Sequence, residues 1–102
     1  MGLDFTTIKD KPGSAIYLIH DGTQVDEMKF KVLADDMSKR TDKQVVTMSM
    51  NDENASKVIN FYQLRGTHFV IIVRDDDQLH HVWSDGELFD AAQIAYFANQ
   101  AG

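Results

Sequence analysis

The chain has 102 residues, of which 43% are hydrophobic, 10% are aromatic and only one is proline, so it is long enough for one hydrophobic core and too short for two. Its formal net charge of -6 disfavours tight binding to nucleic acid or anionic lipid, because both require lysine and arginine to replace counterions. The absence of cysteine excludes disulfides, thiolate nucleophiles, iron–sulfur clusters and dithiol redox chemistry. We therefore predict one acidic domain spanning residues 1–102, and we expect no cofactor.

The apolar runs of the sequence are short. No stretch approaches the roughly 18 consecutive apolar residues of a membrane span, and the segment Met1–Lys11 lacks the apolar centre of a signal peptide. We predict a soluble, cytoplasmic protein with no membrane partner.

The first half of the chain contains two strand patterns and one helix pattern. Ala15–His20 is an unbroken apolar run, which is typical of an interior strand covered on both faces. A helix should begin near Thr23, with Thr23 as its cap and Asp26 returning the hydrogen bond. Gln44–Met50 alternates in burial preference and predicts a second strand. Apolar residues cover more than half of the first helix, which should therefore pack on the sheet and on something else; they are Val25, Met28, Phe30, Val32, Leu33 and Met37.

A short helix and a central strand follow. Asn51–Asn54 breaks the second strand and offers caps for the helix. Gly66 lies just past the end of this helix, where a left-handed residue is expected, and Phe69–Val73 reads as the next strand. The residues of the helix that recur at helical spacing are Ala55, Val58, Ile59 and Tyr62.

The last third of the chain predicts a hairpin and a helix. Arg74–Gln78 is polar and too short for a crossover, so Leu79–Trp83 should pair antiparallel with the preceding strand. Ser84–Glu87 fits a capping box for a helix running to about Asn99. The whole order predicts an α/β fold with a mixed sheet, helices on both faces, and a β-hairpin and helix at the C-terminus. The helix face should contain Leu88, Ala91, Ala92 and Ala95, flanked by Phe89, Ile94 and Tyr96.

Two segments resemble the thioredoxin family. Asn51–Asn54, followed by Tyr62–Phe69 with the letters Y-Q-L-R-G-T-H-F, is similar to the family's acidic turn, helix, tyrosine and I-R-G-I/T-P-T segment before the central strand. The resemblance covers roughly residues 14–100 and implies a three-layer α/β/α, thioredoxin-like fold. Fold alone does not imply function, which depends on the residues of a site.

The positions that carry thioredoxin chemistry differ in this chain. The family's C-x-x-C falls on Gln24–Glu27, so both sulfurs are absent, and its cis-proline falls on His68. A cis bond costs about 3 kcal/mol or more before a residue other than proline, against roughly 0.5 to 1 kcal/mol before proline. The Thr67–His68 bond is therefore predicted to be trans. The resemblance implies a redox-inactive domain that binds a protein partner or a second copy of itself, or that serves as an accessory subunit.

The resemblance brings His20 and His68 to one end of the sheet, with Asp21 nearby. An alternative function is therefore metal binding or acid–base catalysis, in which the two imidazoles act with Asp21 or Glu27. Another alternative is that both histidines are neutral, half-buried and bonded to the backbone. The candidate residues for binding a partner are Gln24, Glu27, Thr67 and His68.

Two aromatic features near the C-terminus also bear on function. His80 and His81 are adjacent on a strand, so their rings are expected to point to opposite faces. Phe97 lies off the main apolar stripe of the last helix. It is either part of a partner surface or buried against the sheet edge.

Overall fold

A computed structural model describes residues 5–84 and 90–101 of the chain. The predicted order of strands and helices is confirmed over these residues. The proposed capping box at Ser84–Glu87 lies partly outside the described residues, and Leu88 and Phe89 lie outside them. The last helix is capped by Asp90, which accepts a hydrogen bond from the Ala92 amide. The elements are a 3-10 helix Phe5–Thr7, β1 Ala15–His20, α1 Gln24–Arg40, β2 Gln44–Ser49, α2 Glu53–Tyr62, β3 Phe69–Val73, β4 Leu79–Trp83 and α3 Ala91–Gln100.

The four strands form one mixed sheet in the order β2-β1-β3-β4. β1 runs parallel to β2 and antiparallel to β3, and β3 pairs antiparallel with β4. All residues of β1 and β3 are buried, as their unbroken apolar runs predict. The chain is therefore a small α/β domain.

Helices cover both faces of this sheet. On one face α1 and α3 pack on Ile16 and Leu18 of β1, and on the other face α2 packs on Tyr17 and Ile19. No helix of the described residues is long and apolar enough to cross a membrane. The helical residues of the first core include Phe30, Leu33, Met37, Ile94, Ala95 and Ala98, and those of the second core include Ala55 and Val58.

The apolar surface of α1 divides into a buried face and an exposed face. Val25, Met28 and Val32 are 67%, 62% and 70% exposed. They recur at the i, i+3, i+7 spacing of one helix face, and we call them the α1 stripe. The buried face of α1 packs on the sheet and on α3, as expected of this helix, whereas these three residues lie on its exposed face.

The end of α2 differs from its prediction. Gln63 adopts the left-handed conformation, with φ of 57° and ψ of 49°, and caps the helix. The next residue, Leu64, donates its amide to the Ile59 carbonyl at 2.9 Å, which completes the capping turn. Gly66 has a positive φ of 141° but lies three residues later, in the loop that leads to His68.

Both His80 and His81 lie near Phe97, contrary to the expected alternation. Ile72 pairs with His81 and Val73 pairs with Leu79, so His80 is the extra residue of a bulge. The His80 and His81 rings have centroids 6.4 and 4.4 Å from that of Phe97. Phe97 is half-buried against the edge strand, and the exposed aromatic residue of α3 is its neighbour Tyr96.

Two tyrosines on the α2 side of the sheet differ in how their hydroxyls are satisfied. Tyr17 is fully buried and its hydroxyl has no hydrogen-bond partner among the described residues, whereas the Tyr62 hydroxyl donates to the Asp77 carbonyl at 2.6 Å. Burial raises the pKa of both phenols above the usual value, with smaller contributions from nearby acidic groups that include Asp77. The raised pKa means that stability from the neutral phenols is complete below about pH 10 and is lost as the pH rises further.

Replacement by phenylalanine should have opposite effects on the free energy of unfolding at the two tyrosines. Tyr17→Phe removes a buried unsatisfied group and should raise the free energy of unfolding by about 1 kcal/mol. Tyr62→Phe removes a hydrogen bond and should lower it by about 1 kcal/mol. Urea unfolding of the two variants beside wild type measures both changes. Two changes of the same sign would contradict the assignment.

Candidate functional site

The candidate site lies where β1 ends, α1 begins and β3 is entered. Because β1 and β3 are antiparallel, the C-terminus of β1 at His20 and the loop before β3 at His68 lie at the same edge of the sheet. The first turn of α1 starts from this edge as well. The structure thus places His20, His68 and the start of α1 at one end of the sheet, as predicted.

Asp26 is the central residue of the site. It is only 6% exposed, and its Oδ2 accepts a hydrogen bond from the Asp21 amide at 2.8 Å. Its two oxygens lie 3.2 and 3.3 Å from Nδ1 of His68. A carboxylate can only accept, so these contacts are hydrogen bonds in the tautomer that carries a proton on Nδ1. Asp26 therefore joins the start of α1 to the loop before β3.

Only one of the two hydrogen bonds of the predicted capping box forms at the start of α1. The Thr23 hydroxyl accepts from the Asp26 amide at 3.3 Å, as expected. The Asp26 carboxylate, however, accepts from Asp21 rather than from Thr23. The Thr23 amide donates to Asp21 Oδ1 at 2.8 Å. The predicted return bond to Thr23 was therefore wrong.

Asp21 is held by the same turn. Its Oδ1 accepts from the Thr23 hydroxyl at 2.6 Å and from the Thr23 amide. These two bonds lower the pKa of the Asp21 carboxyl, and the nearby His68 and His20 contribute smaller effects in the same direction. A ligand atom of Asp21, one of Asp26 and one of His68 all lie within 4.8 Å of one another.

His68 packs against the ring of Phe30. Its ring centroid lies 5.7 Å from that of Phe30, and its side chain remains 25% exposed. No described peptide bond is cis, so Thr67–His68 is trans, as predicted. The loop before β3 therefore carries a half-buried imidazole that faces Asp26.

His20 is separated from this group. It is buried, its ring meets the edge of Phe30 at 6.3 Å, and its Nδ1 accepts from the Gly22 amide at 3.2 Å. That bond places the proton of a neutral His20 on Nε2. His20 lines a different cleft together with Glu27, which pairs with Lys31 at 3.3 Å. Within the described residues, the close group contains Asp26 where His20 was predicted.

The larger cleft runs between α1 and the start of α3 and has a volume of about 640 Å³. Asp26 and His68 lie at one end of it, and Val32 of the α1 stripe lies on its wall. The other lining residues are Lys29, Phe30, Leu33, Asp36, Arg40, Asp90, Ala91 and Ala92. The cleft therefore combines an apolar wall with charged groups.

Asp26 was not predicted to be a site residue. A signal was present, because Asp26 lies four residues before Phe30 and seven before Leu33, on the buried face of α1. A carboxylate on such a face must find hydrogen-bond donors. The predicted binding residues Gln24 and Thr67 are exposed at the rim of the site.

The site thus offers two carboxylates and one imidazole beside a cleft with an apolar wall. Such groups can accept hydrogen bonds, exchange a proton or bind a cation. Comparison with models of protein families and with curated proteins finds no match to this chain.

Proposed function

We propose that this chain is a thioredoxin-like domain that binds a segment of another protein and carries no dithiol chemistry. The strand order β2-β1-β3-β4, with a parallel first pair and an antiparallel hairpin, supports the family resemblance of the sequence. The absence of cysteine leaves the scaffold without its redox groups.

One observation carries the proposal: the α1 stripe lies beside the cleft that contains His68. Val25, Met28 and Val32 are adjacent on one helix face and are mostly exposed, and Val32 continues the apolar wall into the cleft. A contiguous exposed apolar surface beside a concave one is typical of a protein interaction site. The stripe and the cleft together form the proposed recognition surface.

Charge decides which partner fits best. The chain has a net charge of -6, and the cleft is lined by three carboxylates, Asp26, Asp36 and Asp90, against two cationic side chains. An apolar segment that also carries lysine or arginine is therefore attracted to this surface. A second copy fits less well, because two chains that each carry a net charge of -6 repel each other.

A display library of random peptides tests this proposal. We expect wild-type protein to enrich peptides that combine apolar and basic residues. The variant Val25→Gln/Met28→Gln/Val32→Gln should not enrich them, because glutamine keeps the helix but removes the apolar surface. The matched control is Asp35→Gln/Lys39→Gln, which removes an exposed ion pair of 3.1 Å from the same helix.

Three outcomes would count against the proposal. Equal enrichment by wild type and the α1 stripe variant would place binding elsewhere on the domain. Enrichment by wild type no higher than by the bare support would argue against peptide recognition. Sedimentation equilibrium supplies the third outcome, because a wild-type dimer that the stripe variant loses would make a second copy the occupant of this surface.

A further inference from the structure

We propose that Asp21, Asp26 and His68 bind a divalent first-row metal ion. Of the two ions used as probes below, Zn²⁺ should bind more tightly than Mn²⁺. The inference goes beyond the proposed function because it uses the end of the cleft at Asp26 and His68 and does not involve the α1 stripe. It starts from the one close group of potential metal ligands among residues 5–84 and 90–101. Carboxylate oxygen and imidazole nitrogen are both ligands of Zn²⁺ and of its neighbours in the first row.

The spacing of two ligands already suits a metal ion. Around a tetrahedral Zn²⁺ with bonds of about 2.1 Å, ligand atoms lie roughly 3.4 Å apart. The Asp26 oxygens lie 3.2 and 3.3 Å from His68 Nδ1. Removal of the proton from Nδ1 and insertion of the ion between these atoms therefore requires little movement.

Asp21 completes the group by a small side-chain movement. Its ligand atom lies within 4.8 Å of the other two, so it must approach by at most about 1.4 Å to reach the tetrahedral spacing of roughly 3.4 Å. Its hydrogen bonds with Thr23 both end on Oδ1, and either carboxylate oxygen can act as the ligand atom. Asp21 is only partly buried, and a rotation of its carboxylate encounters little packing.

The surrounding groups orient the ligands. The Asp21 amide donates to Asp26 Oδ2, and the Thr23 hydroxyl and amide hold Asp21. Such hydrogen bonds to ligating carboxylates are a regular part of metal sites. The positive end of the α1 dipole, equivalent to roughly half a charge, opposes a cation there. The two carboxylates outweigh it.

Three protein ligands leave a coordination position open. Asp26 and His68 both line the cleft, so the open position faces it. Water or an oxygen ligand from a bound molecule would fill that position. The group thus resembles a ligand-binding site more than a closed structural site.

Isothermal titration of the purified chain with Zn²⁺ tests the inference. We expect wild type to bind one ion per chain, and Asp21→Asn and His68→Gln to weaken the affinity by tenfold or more each. Asp35→Asn, an exposed carboxylate of α1, is the matched control and should bind as wild type does. Titration with Mn²⁺ should show weaker binding at the same site.

Unfolding curves without metal establish that each variant is folded, and both substituted ligands are only partly buried. No saturable binding by folded wild type up to about 1 mM Zn²⁺ would overturn the inference, and so would unchanged affinity in both ligand variants. The α1 stripe variant separates this inference from the proposed function. It should bind Zn²⁺ as wild type does even if it has lost peptide binding.

Discussion

Replacement of Phe30 by alanine should lower the free energy of unfolding by about 3 to 5 kcal/mol, which corresponds to a fall in Tm of roughly 15 °C or more. Phe30 is 1% exposed and packs in the core between α1 and the sheet. Its ring also contacts both His20 and His68. The substitution therefore leaves a cavity under the candidate site as well as in the core.

Urea unfolding measures this loss, and Phe61→Ala is the matched control. Phe61 is 44% exposed on α2, so its truncation should cost about 1 kcal/mol or less. Phe30→Leu retains most of the volume and should remain folded, which allows the His68 ring to be followed by NMR. Equal costs for Phe30→Ala and Phe61→Ala would show that Phe30 does not occupy the core position described above.

Replacement of Asp26 by alanine should cost about 2 to 4 kcal/mol, the second largest effect. The carboxylate is buried and satisfies both the Asp21 amide and Nδ1 of His68. Its removal takes the acceptor away from two partly buried donors, and each such loss costs about 1 to 3 kcal/mol. It also removes a negative charge from the first turn of α1, where the helix dipole favours one.

A double-mutant cycle with His68→Ala isolates the contact between the two side chains. We expect a coupling energy of about 1 kcal/mol, because the residues are in direct contact. Asp36→Ala serves as the control, since Asp36 forms an exposed pair with Arg40 at 3.2 Å and should contribute about 0.5 kcal/mol or less. A coupling energy near zero, or a cost of Asp26→Ala equal to that of the control, would argue against the described contact.

The elements could be predicted because their signals are local. β1 and β3 are unbroken apolar runs, and Thr23 marks the start of α1 by its side-chain chemistry. The left-handed Gln63 was missed because glycine is preferred at such positions and Gly66 stood nearby. The bulge at His80 was missed because strand register depends on the pairing of β3 with β4, which the β4 sequence alone does not encode.

The candidate site was predicted in position but not in composition. The resemblance places His68 at the correct edge of the sheet, and the cost of a cis bond predicts its trans peptide. Its partner is Asp26, however, at a separation of 42 residues along the chain. Only the packing of α1 against the loop before β3 brings the two together. His20, the expected partner, instead accepts from Gly22 and lines another cleft.

We propose that the α1 stripe and its cleft recognise a segment of another protein. The most direct measurement is the dissociation constant of a library-selected peptide for wild type, for the α1 stripe variant and for Asp35→Gln/Lys39→Gln. Loss of three apolar contacts of about 1 kcal/mol each predicts that the stripe variant binds at least roughly 100-fold more weakly, while the control is unchanged. Equal affinity of all three proteins would contradict the claim.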